Sequence, residues 1–137
     1  MLLGLKVFQL EHEQAVGVAG VNCVKIVGNR IISCGTDRTT RIWDIETKKE
    51  LHKFKHPAEC FNFDLNRERT LLAVAHGAGF SIWDFSSQMK IKEEKSKKVK
   101  DLRFNESGTV LIVGKEAKNG GKIHLFDLAK SSSQSQN

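Results

Sequence analysis

No stretch of this 137-residue chain approaches the about 20 consecutive apolar residues needed to cross a bilayer. The opening Met1-Leu2-Leu3-Gly4-Leu5-Lys6 is apolar, but Lys6 comes early and no long apolar block follows, which argues against a signal peptide. Cysteine is sparse: Cys23, Cys34 and Cys60 lie far apart with no Cys-x-x-Cys pair. An odd number at irregular spacing fits neither a disulfide framework nor a zinc site, so buried free thiols in a reducing compartment are expected. Proline occurs once, at Pro57. No window of ten or more residues keeps a 3.6-residue apolar period, so almost no helix is expected. A Gly-x-Ser-x-Gly elbow, a phosphate loop and a paired-carboxylate signature are all missing. No catalytic, cofactor-binding or metal-ligating residues are therefore assigned. The five histidines, His12, His52, His56, His76 and His124, include none at metal-ligand spacing from a Cys, Asp or Glu.

What remains is an ordinary globular composition, 39% hydrophobic and 28% charged, with a net charge of +6. Much of the excess sits in one run over residues 90–100, with six lysines and two glutamates. It reads first as a solvated outer strand and loop, and second as a contact for phosphate or an acidic partner. The run has no aromatic residue, so base stacking is unsupported.

A repeat organises the chain. Arg41-Ile42-Trp43-Asp44-Ile45, Ser81-Ile82-Trp83-Asp84-Phe85 and His124-Leu125-Phe126-Asp127-Leu128 align, with their aromatic positions 40 and then 43 residues apart. A weaker echo, Lys6-Val7-Phe8-Gln9-Leu10, precedes Trp43 by 35 residues. Each pair follows a short apolar run: Ile31-Ile32-Ser33-Cys34-Gly35, Leu71-Leu72-Ala73-Val74-Ala75 and Val110-Leu111-Ile112-Val113-Gly114. Alternating runs lie further upstream, and turn residues such as Gly28-Asn29, Ser107-Gly108 and Asn119-Gly120-Gly121 separate the segments. These are strand and hairpin signals.

Strand, turn, strand, turn and an aromatic-Asp pair, repeated about every 40 residues, resembles the WD40 repeat. The match is carried by Gly35-Thr36-Asp37-Arg38-Thr39-Thr40-Arg41-Ile42-Trp43-Asp44, by Phe80-Ser81-Ile82-Trp83-Asp84, and by Phe104-Asn105-Glu106-Ser107-Gly108-Thr109-Val110-Leu111. It covers roughly residues 5 to 129. The resemblance implies an all-β fold, an incomplete β-propeller of about three four-stranded antiparallel blades. The expected divisions are a partial blade over 1–20, repeats over 21–56, 57–98 and 99–129, and a disordered tail over 130–137. Lys49-Glu50-Leu51-His52-Lys53-Phe54 and Met89-Lys90-Ile91-Lys92 alternate as outer strands should.

The resemblance also implies a buried network of Trp, Ser or Thr, Asp and His in each blade. The first repeat offers Ser33, Asp37 and Trp43 with no evident histidine. The second offers Trp83 and His56, with Ala73 at the hydroxyl position and Gly77 at the aspartate position. The third has Phe126 for tryptophan and a long turn over 115–121. His56 reads as a network or loop residue, not a ligand. Partner binding in the family falls on one rim, which makes Thr36, Arg38, Glu59, His76 and Lys100 the candidates here, with His76 placed in a turn. A Trp-Asp-x-Arg adaptor motif is not matched, because Glu46 and Ser86 hold its fourth position.

Three blades cannot close a ring, and open blade faces would expose apolar surface. The chain is then expected to be a fragment or short isoform, a half completed by a partner chain or second copy, or a product of little stability. A true C-terminus near Ser131 is expected. The implied function is a non-catalytic protein-interaction scaffold, intracellular (cytoplasmic or nuclear), needing no cofactor. It would form part of a larger propeller or multiprotein complex, with other proteins as partners, among them a chain or segment that completes the propeller. The alternative is a basic nucleic-acid-associated member acting in RNA processing or chromatin.

Overall fold

The computed structural model describes residues 9–12 and 20–128. Most of the partial blade expected over 1–20, and the tail expected over 130–137, lie outside the described residues. Among the described residues there are eleven strands, and no helix is long and apolar enough to cross a membrane.

The strands form three antiparallel sheets in chain order. The first holds β1 (Val21–Val27), β2 (Arg30–Gly35), β3 (Thr39–Asp44) and β4 (Glu50–Lys55). The second holds β5 (Cys60–Leu65), β6 (Leu71–His76), β7 (Gly79–Asp84) and β8 (Lys90–Lys95). The third has three strands among the described residues, not four: β9 (Val99–Phe104), β10 (Val110–Ala117) and β11 (Gly120–Asp127). The fold is all-β and propeller-like, each sheet a blade. The long turn expected over 115–121 is in fact a tight hairpin. β10 and β11 pair as far as Ala117 and Gly120, with Lys118 and Asn119 as the two-residue turn and Gly120 leaving it at a φ of 109°.

The aromatic-acidic pairs occupy equivalent places. Trp43 lies opposite Ile31, Trp83 opposite Leu72 and Phe126 opposite Leu111. A register shift follows Ile42 in the first sheet and Ile82 in the second, immediately before each tryptophan. The aspartate has its own task. Asp44 Oδ1 accepts the Thr47 amide at 2.8 Å, and Asp84 Oδ1 accepts the Ser87 amide at 2.8 Å. Each carboxylate thus pins the turn into the outer strand, where Lys48 and Gln88 adopt positive φ of 61° and 65°.

Sheet packs on sheet. Ile32, Ile42 and Phe54 of the first meet Phe63, Leu72 and Trp83 of the second in one buried cluster. Ala75, Phe80 and Ile82 meet Leu102, Leu111 and Val113 of the third in another. Polar rungs link the innermost strands: Lys25 reaches Asp64 at 3.1 Å, and Asp64 accepts the Phe104 amide at 2.8 Å. Among the described residues, the two ends of the stack are left largely uncovered. Ile26 is 73% exposed on β1, and Ile123 is 72% exposed on β11.

Candidate interaction rim

The first sheet carries a complete polar network. The Trp43 indole donates to Ser33 Oγ at 2.9 Å. Ser33 Oγ lies 2.6 Å from His12 Nε2, and His12 Nδ1 lies 3.0 Å from Asp37 Oδ1. One proton arrangement satisfies every member: the serine hydroxyl donates to Nε2, and the Nδ1–H donates to the carboxylate. Arg41, buried within β3, closes the other side, donating to Asp37 at 3.0 Å and to Glu50 at 2.9 Å. Burial pushes the Asp37 carboxyl upward, but hydrogen bonds from His12 and Thr39 and the Arg41 charge outweigh it and hold the group below its usual range.

His12 is therefore the histidine that appeared to be missing from the first repeat. It precedes its sheet as His56 precedes the next, so the positional signal was present. The separation of 25 positions between His12 and Asp37 hid it.

The second sheet solves the same problem differently. Its register sets Val74, not Ala73, at the position matching Ser33, since Trp83 pairs with Leu72 and Val74 with Ser81. Val74 has no hydroxyl to offer. The Trp83 indole instead donates to Ser81 on its own strand at 2.9 Å. His56 turns back to the first sheet, its Nε2 lying 2.9 Å from Thr40 Oγ1. Its ring meets Trp83 edge-on at 5.7 Å and stacks on His76 at 5.9 Å. His56 Nδ1 is buried without a hydrogen-bond partner among the described residues. Burial, followed by the neighbouring His76 and Lys90, drives the His56 pKa down to about 3.

The three thiols are free. Cys23 and Cys34 sit directly opposite each other on β1 and β2. The hydrogen bond from Cys34 draws the Cys23 pKa down to about 6, against the effect of burial. The same contact and burial push Cys34 up, and burial pushes Cys60 up to about 12.

At one end of the stack, backbone hydrogen bonds tie each sheet's inner hairpin to the loops that flank the same sheet. Thr36 N donates to Gly20 O, His56 N to Arg38 O, Gly77 N to Glu59 O, Ser96 N to Ala78 O and Glu116 N to Lys98 O, at 2.9–3.0 Å. The β2–β3 and β6–β7 turns and the loops between sheets thus form one continuous rim. Thr36, Arg38 and Glu59 lie on it. Arg38 is exposed and held at a φ of 67°, Glu59 is exposed, and the Thr36 hydroxyl accepts from the Gly20 amide at 2.7 Å. Lys100 stands on β9, exposed, 3.8 Å from Glu116 and over the Phe61 ring at 4.8 Å. His76 is a correction. It ends β6 instead of sitting in a turn, is 1% exposed, and lies 3.0 Å from Glu93, so it supports the rim from beneath. Thr40, Arg41 and Ser81 were not singled out in the sequence, because side chains of these types on a strand normally face solvent.

The comparisons agree with this geometry. A family model described as WD domain, G-beta repeat matches residues 6–44. The chain is 27% identical over 106 residues to the WD repeat-containing protein 89 homolog of Dictyostelium discoideum, covering 75% of this chain and 28% of that protein. Hydrazine synthase of Kuenenia stuttgartiensis superposes with a TM-score of 0.67 at 14% identity, covering 75% of this chain and 30% of that one. At that identity the likeness shows the fold alone. The chain spans less than a third of either protein's length. With its tryptophans at equivalent register, its tetrad of Trp43, Ser33, His12 and Asp37, and one WD repeat matched over residues 6–44, the chain is similar to the WD40-repeat β-propellers.

Proposed function

We propose that this chain is a non-catalytic protein-interaction module of an intracellular assembly, working as part of a larger propeller or multiprotein complex. The observation that carries the reading is the pair of open end faces. Val24 and Ile26 at one end, and Ile123 and Leu125 at the other, are each more than 60% exposed. Apolar surface of this kind calls for a neighbour. Between these ends the rim offers charged, backbone-braced positions at Arg38 and Glu59, and arginine is enriched where binding energy concentrates. Ser33, His12 and Asp37 have the atom types of an acyl-transfer triad, but the serine oxygen already accepts the Trp43 indole. That arrangement supports a role in holding the blade.

The test is the mass of the native species that contains this chain, measured by light scattering on material from its source cells. A mass well above 15.4 kDa is expected, falling when Ile26→Arg and Ile123→Arg are introduced together. A species of 15.4 kDa with both faces intact overturns the reading. The nucleic-acid alternative draws on the exposed lysines Lys95, Lys97 and Lys98. RNA affinity that falls steeply with salt and disappears when they are neutralised would favour it.

A further inference from the structure

Where the second and third sheets meet the rim, the β6–β7 turn, the β8–β9 loop and β10 enclose a cleft of about 850 Å³. That volume lies within the range of about 300–1,000 Å³ typical of ligand sites. We propose that this cleft binds an acidic peptide segment of a partner protein, its carboxylates held by Lys95, Lys97 and Lys115. The inference rests on the interaction-module reading and adds the chemistry of the partner.

The charge balance points to this occupant. Lys95, Lys97 and Lys115 line the cleft, and among the described residues none of them forms an ion pair. The carboxylates around them are already engaged. Glu93, the one acidic lining residue, meets His76 at 3.0 Å and Lys90 at 3.2 Å. Glu94 is taken by Lys92 at 3.7 Å, and Glu116 by Lys100 at 3.8 Å. Three cations therefore converge on one cavity without local neutralisation.

The walls are fixed in place. Ser96 N donates to Ala78 O and Glu116 N to Lys98 O, each at 3.0 Å. Gly79 lets the β6–β7 turn close on β8, because a Cβ there would stand 1.9 Å from Glu94 O. Pro57 and Ala78 add apolar surface for the short side chains of an extended peptide. Among the described residues, no phenylalanine or tryptophan lines the cleft. A nucleic acid would gain phosphate contacts there but no stacking platform, so a polypeptide fits the lining better.

The experiment uses the full 137-residue chain. The probe is a fluorescein-labelled decapeptide of alternating Glu and Ala, titrated by fluorescence anisotropy at low and moderate salt. Saturable binding that weakens with salt is expected. Reversing the three lysines together (Lys95→Glu, Lys97→Glu, Lys115→Glu) should weaken it by about tenfold or more, while the charge-matched Lys49→Glu, Arg67→Glu, Arg69→Glu variant, in turns at the other end of the sheets, stays within about twofold. If the triple cleft variant does not fold by circular dichroism, Lys97→Gln alone, on an exposed side chain, should still weaken binding by about two- to threefold. Absence of binding by the parent chain, or equal loss in the cleft and control variants, overturns the proposal. So does tighter binding of decauridylate than of the peptide. If the peptide fails while the native chain still travels in a large assembly, the cleft inference alone falls. A chain that travels free removes the module reading itself.

Discussion

His12 and Asp37 face each other at 3.0 Å across 25 residues of chain, and that contact completes the polar network behind Trp43. Both side chains are almost wholly buried, at 7% and 4% exposure. Removing one partner therefore strands the other's polar atoms away from water. His12→Ala should cost about 1–3 kcal/mol, the penalty for a buried group left without its hydrogen bond. Trp43→Ala should cost about 3–5 kcal/mol, as for other large core aromatics. The double variant His12→Ala, Asp37→Ala should lose less than the sum of the singles, because the two act as one unit. Urea denaturation of the four proteins checks this, and full additivity would show that the network is not coupled.

Acid should unfold the chain in two stages. The folded state holds His56 near a pKa of about 3, while the unfolded chain takes up the proton near 6.5. Protons then favour the unfolded state as pH falls from about 6.5 towards 3, so stability is complete above that window and declines through it, by a few kcal/mol at most. Asp37 adds a second loss, as pH falls below its ordinary value of 3.8 through its depressed folded value. A melting-temperature profile from pH 7.5 to 4 should slope downwards towards acid. In His56→Gln that slope should flatten, and an unchanged slope would assign the effect to another group.

Cys23 should be the reactive thiol. The Cys34 hydrogen bond lowers its pKa from the ordinary thiol value, and it is half-buried on β1, more open than the other two. Cys34 and Cys60 are buried and held protonated. Limited alkylation with iodoacetamide followed by peptide mass mapping should label Cys23 first, with the other two reacting only on unfolding. Earlier labelling of Cys60 would contradict the structure.

Two glycines separate a clash from a torsional cost. At Gly79, φ is 144° and an added Cβ would meet the Glu94 carbonyl at 1.9 Å, so Gly79→Ala should cost about 3 kcal/mol or more. At Gly120, φ is 109° with nothing within 4 Å, so Gly120→Ala carries only backbone strain, about 1–2 kcal/mol. Thermal melts of the two variants measure the difference directly. Equal costs would mean that the β6–β7 turn can shift away from β8.

Much of the blade was legible in the chain itself. β-branched and aromatic runs separated by turn residues mark strands locally, and Trp43-Asp44 and Trp83-Asp84 mark the same register twice. Hairpin pairing is short-range, so a linear pattern carries it. The polar network was only partly legible. Ser33, Asp37 and Trp43 are drawn together by one hairpin, whereas His12 arrives from outside it. His76 reads as a turn residue until its position at the end of β6 and the Glu93 carboxylate beside it are known.

By itself, then, the amino-acid order determined the strands, their turns and the repeat, because each depends on backbone preferences and side-chain alternation within a few residues. Tertiary structure alone decided what happens between blades. His56 bonds Thr40 of the preceding sheet, Asp64 bridges Lys25 and Phe104, and lysines from two sheets and the loop between them line one cleft. Such contacts join segments far apart in the chain, and their geometry follows from how the sheets stack.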